Sequence, residues 1–144
     1  MSTGWFPRAV IKETEKIYVG NPGLWGVVLH VADDGGNYDG SVRWLRGSHN
    51  KKSSAHAIIN NANGEITQMA SIHDRTWANG LRWIAGVPWS PSANRPIIGD
   101  KRARMWRKIE RGKDPNRYTI SVERSGRPTD PWTPVAMSTL IEFL

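Results

Sequence analysis

The chain has 144 residues, 38% of them hydrophobic and 23% charged, which is enough to bury the core of one globular domain. It contains no cysteine, which excludes disulfides, thiolate metal ligands and cysteine nucleophiles. A net charge of +7 favours an anionic partner, such as nucleic acid or a bacterial cell wall. No apolar run approaches the ~18 residues that a membrane span requires, and the first residues lack the pattern of a signal peptide.

The first half of the chain predicts a strand, a helix and a hairpin. The apolar run 24–31 is rich in β-branched residues and bounded by turn residues, which predicts a buried central strand. The apolar spacing over 38–46 allows a short helix. Segments 54–60 and 65–70 predict two strands joined by an Asn-Gly turn, because both turn residues tolerate positive φ.

The second half predicts a loop, a strand and two helices. Residues 81–96 are rich in Trp, Pro and Ser and read as an ordered loop, whereas 101–113 combine many basic residues with a narrow apolar stripe that predicts a helix. Alternation over 117–124 predicts a half-buried strand. Thr133 followed by Pro predicts the start of a helix that runs to Leu144. Together these elements predict a single α/β domain with a central mixed sheet flanked by helices.

Two residues are candidates for chemistry on sequence grounds. His30 lies near the C-terminal end of a predicted strand, where active sites of such sheets gather, or it is a hydrogen-bonded core histidine. Glu123 is either a solvent-facing partner of a neighbouring arginine or, if partly buried beside a metal, a general base. His56 could face a cleft or fill a polar hole, whereas His49 and His73 are read as loop histidines. The chain has no HExxH, GxSxG, Walker or GxGxxG motif.

Four short segments occur in an order that is more specific than any one of them. They are Val27-Val-Leu-His30, Ser54-Ala-His56 leading into Asn63-Gly-Glu-Ile-Thr-Gln68, Asp74-Arg-Thr-Trp-Ala-Asn-Gly80 and Asn116-Arg-Tyr-Thr-Ile-Ser-Val-Glu123. The ordered set, over roughly residues 24–144, resembles the type 2 N-acetylmuramoyl-L-alanine amidase family. That family includes phage endolysin amidases and is related to peptidoglycan recognition proteins.

The resemblance implies a role for each matched residue. His30 is similar to the first zinc ligand, and Glu123 to the glutamate that activates the metal-bound water. His56 matches a histidine beside the metal ligands or the substrate, while Trp77 and Asn79 resemble the loop that lines the substrate groove. The implied reaction is hydrolysis of the amide between N-acetylmuramic acid and L-alanine by water that zinc has acidified towards a pKa of ~7.

The sequence departs from the family pattern in three places. Ala78 replaces the histidine of the W-H-A-G turn. The remaining two zinc ligands of the family follow the final helix, where this sequence ends, so we expect a missing C-terminal segment, weak or absent zinc binding, and no activity without that segment. Residues 81–115 form a longer, basic, Trp- and Pro-rich insertion, and its Lys101–Lys113 stretch either contacts anionic wall polymers or is a solvated face.

The resemblance therefore predicts a zinc-dependent peptidoglycan hydrolase, acting as a phage or bacterial lysin. Without a signal peptide, a lysin would accumulate in the host cytoplasm before lysis and act at the cell wall. The first alternative is a module that binds peptidoglycan without cleaving it. The second is a basic nucleic-acid-binding domain, which the histidine and glutamate pattern disfavours. No membrane partner is expected.

Overall fold

The computed structural model describes residues 4–20, 23–24, 26–48, 53–78, 82–84, 87–90, 95–96 and 115–144. The strands in these ranges are β1 (Val10–Ile11), β2 (Ile17–Tyr18), β3 (Gly26–Val31), β4 (Ala57–Ile59), β5 (Ile66–Gln68), β6 (Arg75–Thr76), β7 (Arg82–Ile84), β8 (Val87–Ser90), β9 (Arg95–Pro96) and β10 (Thr119–Arg124). The helices are α1 (Tyr38–Arg46) and α2 (Pro134–Phe143), and a 3-10 turn spans Pro115–Arg117.

A five-stranded mixed sheet forms the centre of the molecule, in the order β1-β5-β4-β10-β3. Strands β4, β10 and β3 are parallel to one another, β5 is antiparallel to β4, and β1 is parallel to β5. Because parallel strands end at the same edge, the C-terminal ends of β3, β4 and β10 lie together. The predicted α/β domain with a mixed sheet between helices is confirmed.

Each face of the sheet buries its own apolar cluster against one helix. Alternation along the strands separates the two clusters, since neighbouring residues of a strand point to opposite faces. One cluster packs around α2 and consists of Ala57, Ile59, Ile66, Ile120, Val122, Ala136 and Leu140. The other packs around α1 and consists of Tyr38, Val42, Leu45, Ala55, Ile58 and Met69. Glu123 pairs in register with Ile58, so its side chain lies on the α1 face.

Both helices begin where the sequence predicts. The side chain of Asn37 accepts a hydrogen bond from the Gly40 backbone N–H (3.1 Å) at the start of α1. Thr133 does the same for Ala136 (3.3 Å) at the start of α2, with Pro at the first helical position. These caps satisfy backbone donors that have no partner inside the helix. In the described ranges neither helix is long and apolar enough to cross a membrane.

Three sequence predictions are wrong in detail. Strand β3 lies at an end of the sheet instead of its centre, and two of its apolar side chains are exposed, because an apolar β-branched run reads alike in central and edge strands. Strand β10 is not half-buried: every residue in it except Glu123 is buried, because helices cover both faces. Residues 82–96 include β7, β8 and β9, which form a small antiparallel sheet where a loop was predicted.

The remaining predicted elements divide into confirmed and untested ones. The hairpin is present as β4 and β5, each shorter than predicted, with Gly64 in the turn at a φ of 74°. The predicted helix over 101–113 lies outside the described residues. The two-residue strands β1, β2 and β6 were not predicted, since two residues carry no readable alternation.

Candidate active site

His30 and Glu123 lie side by side on the two parallel strands at one end of the sheet. Each is the next-to-last residue of its strand, and the two are paired in register. Side chains at paired positions of neighbouring parallel strands point to the same face, and such strands are roughly 5 Å apart. The imidazole and the carboxylate therefore share the α1 face at the C-terminal edge of the sheet.

Glu123 is a largely buried carboxylate with an unsatisfied oxygen. Its Oε2 atom is buried and has no hydrogen-bond partner among the described residues. Burial, reinforced by the negative charge of Asp34, raises the pKa of Glu123 to about 7. The interpretation of Glu123 as a solvent-facing partner of an arginine is wrong, because no ion pair to Glu123 is found in the described part of the chain. Its neighbour Arg124 instead donates to the Arg127 carbonyl (2.8 Å).

Asp34 is the charged residue that the structure adds to this site. The loop that follows β3 places its carboxylate close enough to Glu123 for the two charges to interact. Burial acts to raise the pKa of Asp34, but hydrogen bonds from Ser41, Gly36, Gly126 and Ser125 outweigh it and leave the pKa below its usual value. In the sequence, Asp34 is one of the turn residues that bound the apolar run 24–31. The one available signal was its position, four residues after His30.

His56 is a fully buried residue that joins three segments. Its Nδ1 accepts from the backbone N–H of Ser121 (3.0 Å) and lies 3.1 Å from Thr76 Oγ1. Its Nε2 lies 3.1 Å from the Asp74 carbonyl, which can only accept, so Nε2 carries the proton. Burial lowers the pKa of His56 to about 4, against the opposing effect of the Asp74 carbonyl and charge. With 0% exposure and both nitrogens bonded, His56 is not available to a substrate, and the predicted substrate contact is corrected to a structural role.

Trp77 lies away from the His30–Glu123 pair. Its ring packs against Tyr18 at 5.6 Å, and its backbone N–H donates to Ser54 Oγ (3.0 Å). It lines a groove of about 1150 Å³ that also runs along α1 and the segment 12–16, and neither His30 nor Glu123 is among the lining residues. Among the described residues, Trp77 therefore lines a groove that His30 and Glu123 do not line.

Of the remaining sequence candidates, only His73 lies within the described residues. Asn79 and His49 lie outside the described residues. His73 is an exposed loop residue near the N-terminal segment, as its sequence context predicted.

The described residues do not complete a metal site. Among them, no group of three or more His, Asp or Glu side chains is arranged to hold a metal ion. A catalytic zinc in proteins is held by three protein ligands, and this site offers one imidazole beside one carboxylate whose neighbour, Asp34, is already occupied by hydrogen bonds. The donor set therefore does not fit zinc as described, and we assign no chemical step to the metal.

Comparison with known proteins identifies the family to which this geometry belongs. The family model for N-acetylmuramoyl-L-alanine amidase matches residues 20–144. Among solved structures, the crystal structure of a selenomethionine derivative of AmpD aligns with a TM-score of 0.53 and 18% identity, covering 97% of this chain and 73% of that chain. At that identity, the likeness supports the fold alone. A search of curated proteins finds no match.

The family match includes the strand that carries His30, the hairpin, the strand that carries Glu123 and helix α2. The structural likeness extends over nearly the whole chain and agrees with the mixed sheet and its two flanking helices. The chain is therefore a member of the N-acetylmuramoyl-L-alanine amidase family.

Proposed function

We propose that this protein is a peptidoglycan hydrolase that cleaves the amide between N-acetylmuramic acid and L-alanine, with Glu123 as its general base. The observation that carries the proposal is the Oε2 of Glu123, which is buried beside His30 and has no hydrogen-bond partner in the described part of the chain. A buried carboxylate oxygen without a partner is costly, and such groups concentrate at sites that bind or transform a ligand. Family membership supports the reaction class.

The raised pKa of Glu123 suits proton transfer near neutral pH. A base is most effective when its pKa is close to the working pH, and the pKa of Glu123 is about 7. Glu123 takes a proton from water as the water oxygen attacks the amide carbonyl carbon. The same proton then passes to the departing nitrogen as the carbon–nitrogen bond breaks. The products are the lactyl carboxylate of the sugar and the free amino terminus of L-alanine.

His30 is the residue we propose as a metal ligand. Members of this family are commonly zinc enzymes, and His30 is the imidazole adjacent to Glu123. A complete zinc site requires donors in addition to those of the described residues. The metal dependence of this protein is therefore a proposal about His30 alone.

We also infer that the biological setting is cell-wall lysis. The net charge of +7 supports attraction to the anionic polymers of a bacterial wall, and Lys101–Lys113 carries much of that charge in the sequence. A phage lysin that reaches the wall from the host cytoplasm is the setting we propose, on the strength of the sequence resemblance to endolysin amidases. Trp77 and Asn79 stay proposed substrate contacts, with Trp77 acting from the groove along α1.

A second candidate function is favoured by one observation. Among the described residues no group of three or more His, Asp or Glu side chains is arranged to hold a metal ion, and binding of peptidoglycan without cleavage does not require one. In that case Glu123 and His30 would contact the wall polymer without turnover. The two functions differ in a single measurable product, the new amino terminus of L-alanine.

The test is to incubate the 144-residue protein with purified peptidoglycan, with zinc supplied or chelated, and to quantify new L-alanine amino termini and bound protein. The proposed function requires release by the unaltered protein, against the sequence prediction of no activity without a further C-terminal segment, and a fall of about 10²–10⁴-fold in Glu123→Gln. The matched control is Glu65→Gln, which makes the same change on the exposed hairpin turn and should leave the rate unchanged.

Two results of this assay would contradict the proposal. Binding without release, with zinc present, would replace the hydrolase proposal with the binding module. Near-normal release by Glu123→Gln would remove the base assignment.

A further inference from the structure

The carboxylate of Asp34 accepts four hydrogen bonds, two of them from groups that are distant in sequence. Its Oδ1 accepts from the backbone N–H groups of Gly126 (2.7 Å) and Gly36 (2.8 Å) and from Ser125 Oγ (3.2 Å). Its Oδ2 accepts from Ser41 Oγ (2.7 Å). Hydrogen bonds to a charged carboxylate are about twice as strong as neutral ones. This set therefore fixes Asp34 firmly in one position.

The four donors belong to three different structural elements. Gly36 is in the loop that follows β3, Ser41 is in the first turns of α1, and Ser125 with Gly126 forms the turn that follows β10. The strand before the loop is β3, which carries His30, and the strand before the turn is β10, which carries Glu123. Asp34 thus connects the C-terminal ends of the two strands on which the candidate catalytic pair lies.

A purely local role does not account for this arrangement. The α1 helix already has an N-cap in Asn37, so Asp34 is not needed to cap it. Only the Gly36 bond is internal to the loop, whereas the bonds from Ser125 and Gly126 join residues 91 and 92 positions apart. The preceding residue, Asp33, adopts a φ of 50°, a conformation that is uncommon outside glycine. The loop accepts a strained residue and still directs Asp34 towards β10.

We propose that Asp34 is a positioning residue for amide hydrolysis, whose carboxylate fixes the separation and relative orientation of His30 and Glu123. The inference rests on the proposed function for its catalytic consequence, but its geometric part concerns only these side chains. Strand β3 is paired on one side only, by β10, and the backbone ladder between them ends at the bond from the Ala32 N–H to the Arg124 carbonyl (2.9 Å). Misplacement of a catalytic group by about 1 Å can cost about 100-fold in rate.

Two substitutions separate the geometry of Asp34 from its charge. An asparagine at this position can keep all four contacts, because its Oδ1 accepts the same three hydrogen bonds and its Nδ2 can donate to Ser41 Oγ. An alanine loses all four. The matched control is Asp130→Ala, since Asp130 also accepts a backbone hydrogen bond in the turn after β10, from Arg127, but makes no bond to the loop after β3.

The experiment is carried out on the whole 144-residue chain. Nuclear Overhauser contacts between the His30 ring and the Glu123 side chain, and amide exchange along β3, are measured for the wild type, Asp34→Asn, Asp34→Ala and Asp130→Ala. We expect loss of the contacts and faster exchange in Asp34→Ala, with wild-type behaviour in the other two variants. On peptidoglycan, Asp34→Ala should lose about 100-fold in kcat with little change in KM, at a temperature where it is fully folded.

The NMR measurements and the peptidoglycan assay distinguish failure of the Asp34 proposal from failure of the proposed function. If the wild type releases no L-alanine amino termini, the proposed function fails, while the contacts still decide whether Asp34 sets the geometry. Unchanged contacts and kcat in Asp34→Ala would overturn the proposal, even if that variant melts at a lower temperature. Loss of the contacts in Asp34→Asn to the same extent as in Asp34→Ala would overturn it as well, because asparagine preserves the hydrogen bonds.

Discussion

Two largely buried titratable side chains, His56 and the β10 residue Glu123, have surroundings that differ in kind. His56 is bonded at both ring nitrogens, and burial lowers its pKa to about 4. Glu123 has a buried oxygen to which no described residue donates a hydrogen bond, and burial raises the pKa of Glu123 to about 7. Both disfavour the charged form, but only His56 has its hydrogen-bonding capacity met. His56 therefore stabilises the fold, whereas the buried carboxylate of Glu123 lowers the free energy of unfolding. We attribute the presence of such a destabilising group to function.

The largest expected effect on stability comes from removing the satisfied group. His56→Ala leaves the Ser121 N–H and the Asp74 carbonyl without their partner and opens a cavity at a site with 0% exposure. We expect a loss of about 3–5 kcal/mol in the free energy of unfolding, measured by urea denaturation. A loss below about 1 kcal/mol would show that His56 does not hold these segments together.

Replacing Glu123 should raise the free energy of unfolding, whereas replacing His56 lowers it. Glu123→Gln removes a carboxyl whose pKa is raised from 4.5 to about 7, so its charged form is disfavoured in the fold above neutral pH. We expect Glu123→Gln to be more stable than the wild type by at most about 3 kcal/mol at pH 8, and to lose this advantage below pH 4.5. Denaturation at the two pH values tests this. Destabilisation at pH 8 would contradict the description of Glu123 as a costly buried acid.

His56 and Glu123 should change the free energy of unfolding in opposite directions as the pH changes. Neutral His56 contributes stability that is complete above pH 6.5 and is lost as the pH falls towards 4, because the unfolded chain binds the proton more readily. The stability that protonated Glu123 contributes is complete below pH 4.5 and is lost as the pH rises towards about 7. In the wild type the two contributions offset each other over about pH 4.5–6.5. In Glu123→Gln only the His56 contribution remains, so the free energy of unfolding should fall by about 3 kcal/mol on acidification from pH 6.5 to pH 4. The wild type should show a smaller fall over the same range.

The smallest effect is expected where a charge is not buried. Arg8 and Glu142 form an ion pair with side-chain exposures of 67% and 43%. Solvent screens such a pair, so Arg8→Ala should change the free energy of unfolding by less than about 1 kcal/mol. Thermal denaturation at low and high salt measures it. A larger, salt-sensitive loss would mean that surface charge contributes as much to this fold as the buried groups do.

The sequence predicted the parts of the fold that depend on local signals. The limits of α1 and the start of α2 follow from caps and apolar spacing, and the Asn-Gly turn locates the hairpin. The place of a strand within the sheet is a non-local property, which is why β3 was predicted as central and β10 as half-buried. Both errors concern which elements cover a strand, and the alternation of side chains does not record that.

The candidate site was predictable only in part for the same reason. His30 and Glu123 were selected because an ordered set of motifs resembles a family, and the register of β3 and β10 places them together. The burial that distinguishes their roles was not readable from residue type, so His56 was given a substrate contact that its bonded nitrogens exclude. Asp34 was overlooked because its partners Ser125 and Gly126 are about 90 residues away.

The most direct test of the account is the titration of one carboxyl group, Glu123, followed by carbon-13 NMR of its side chain from pH 3 to 9 in the intact chain. We expect a midpoint near pH 7, and a shift of that midpoint to lower pH in Asp34→Asn, since the neighbouring negative charge is removed. A midpoint near the ordinary value of 4.5 would show that Glu123 is solvated. It would contradict the assignment of Glu123 as the buried base of an amidase.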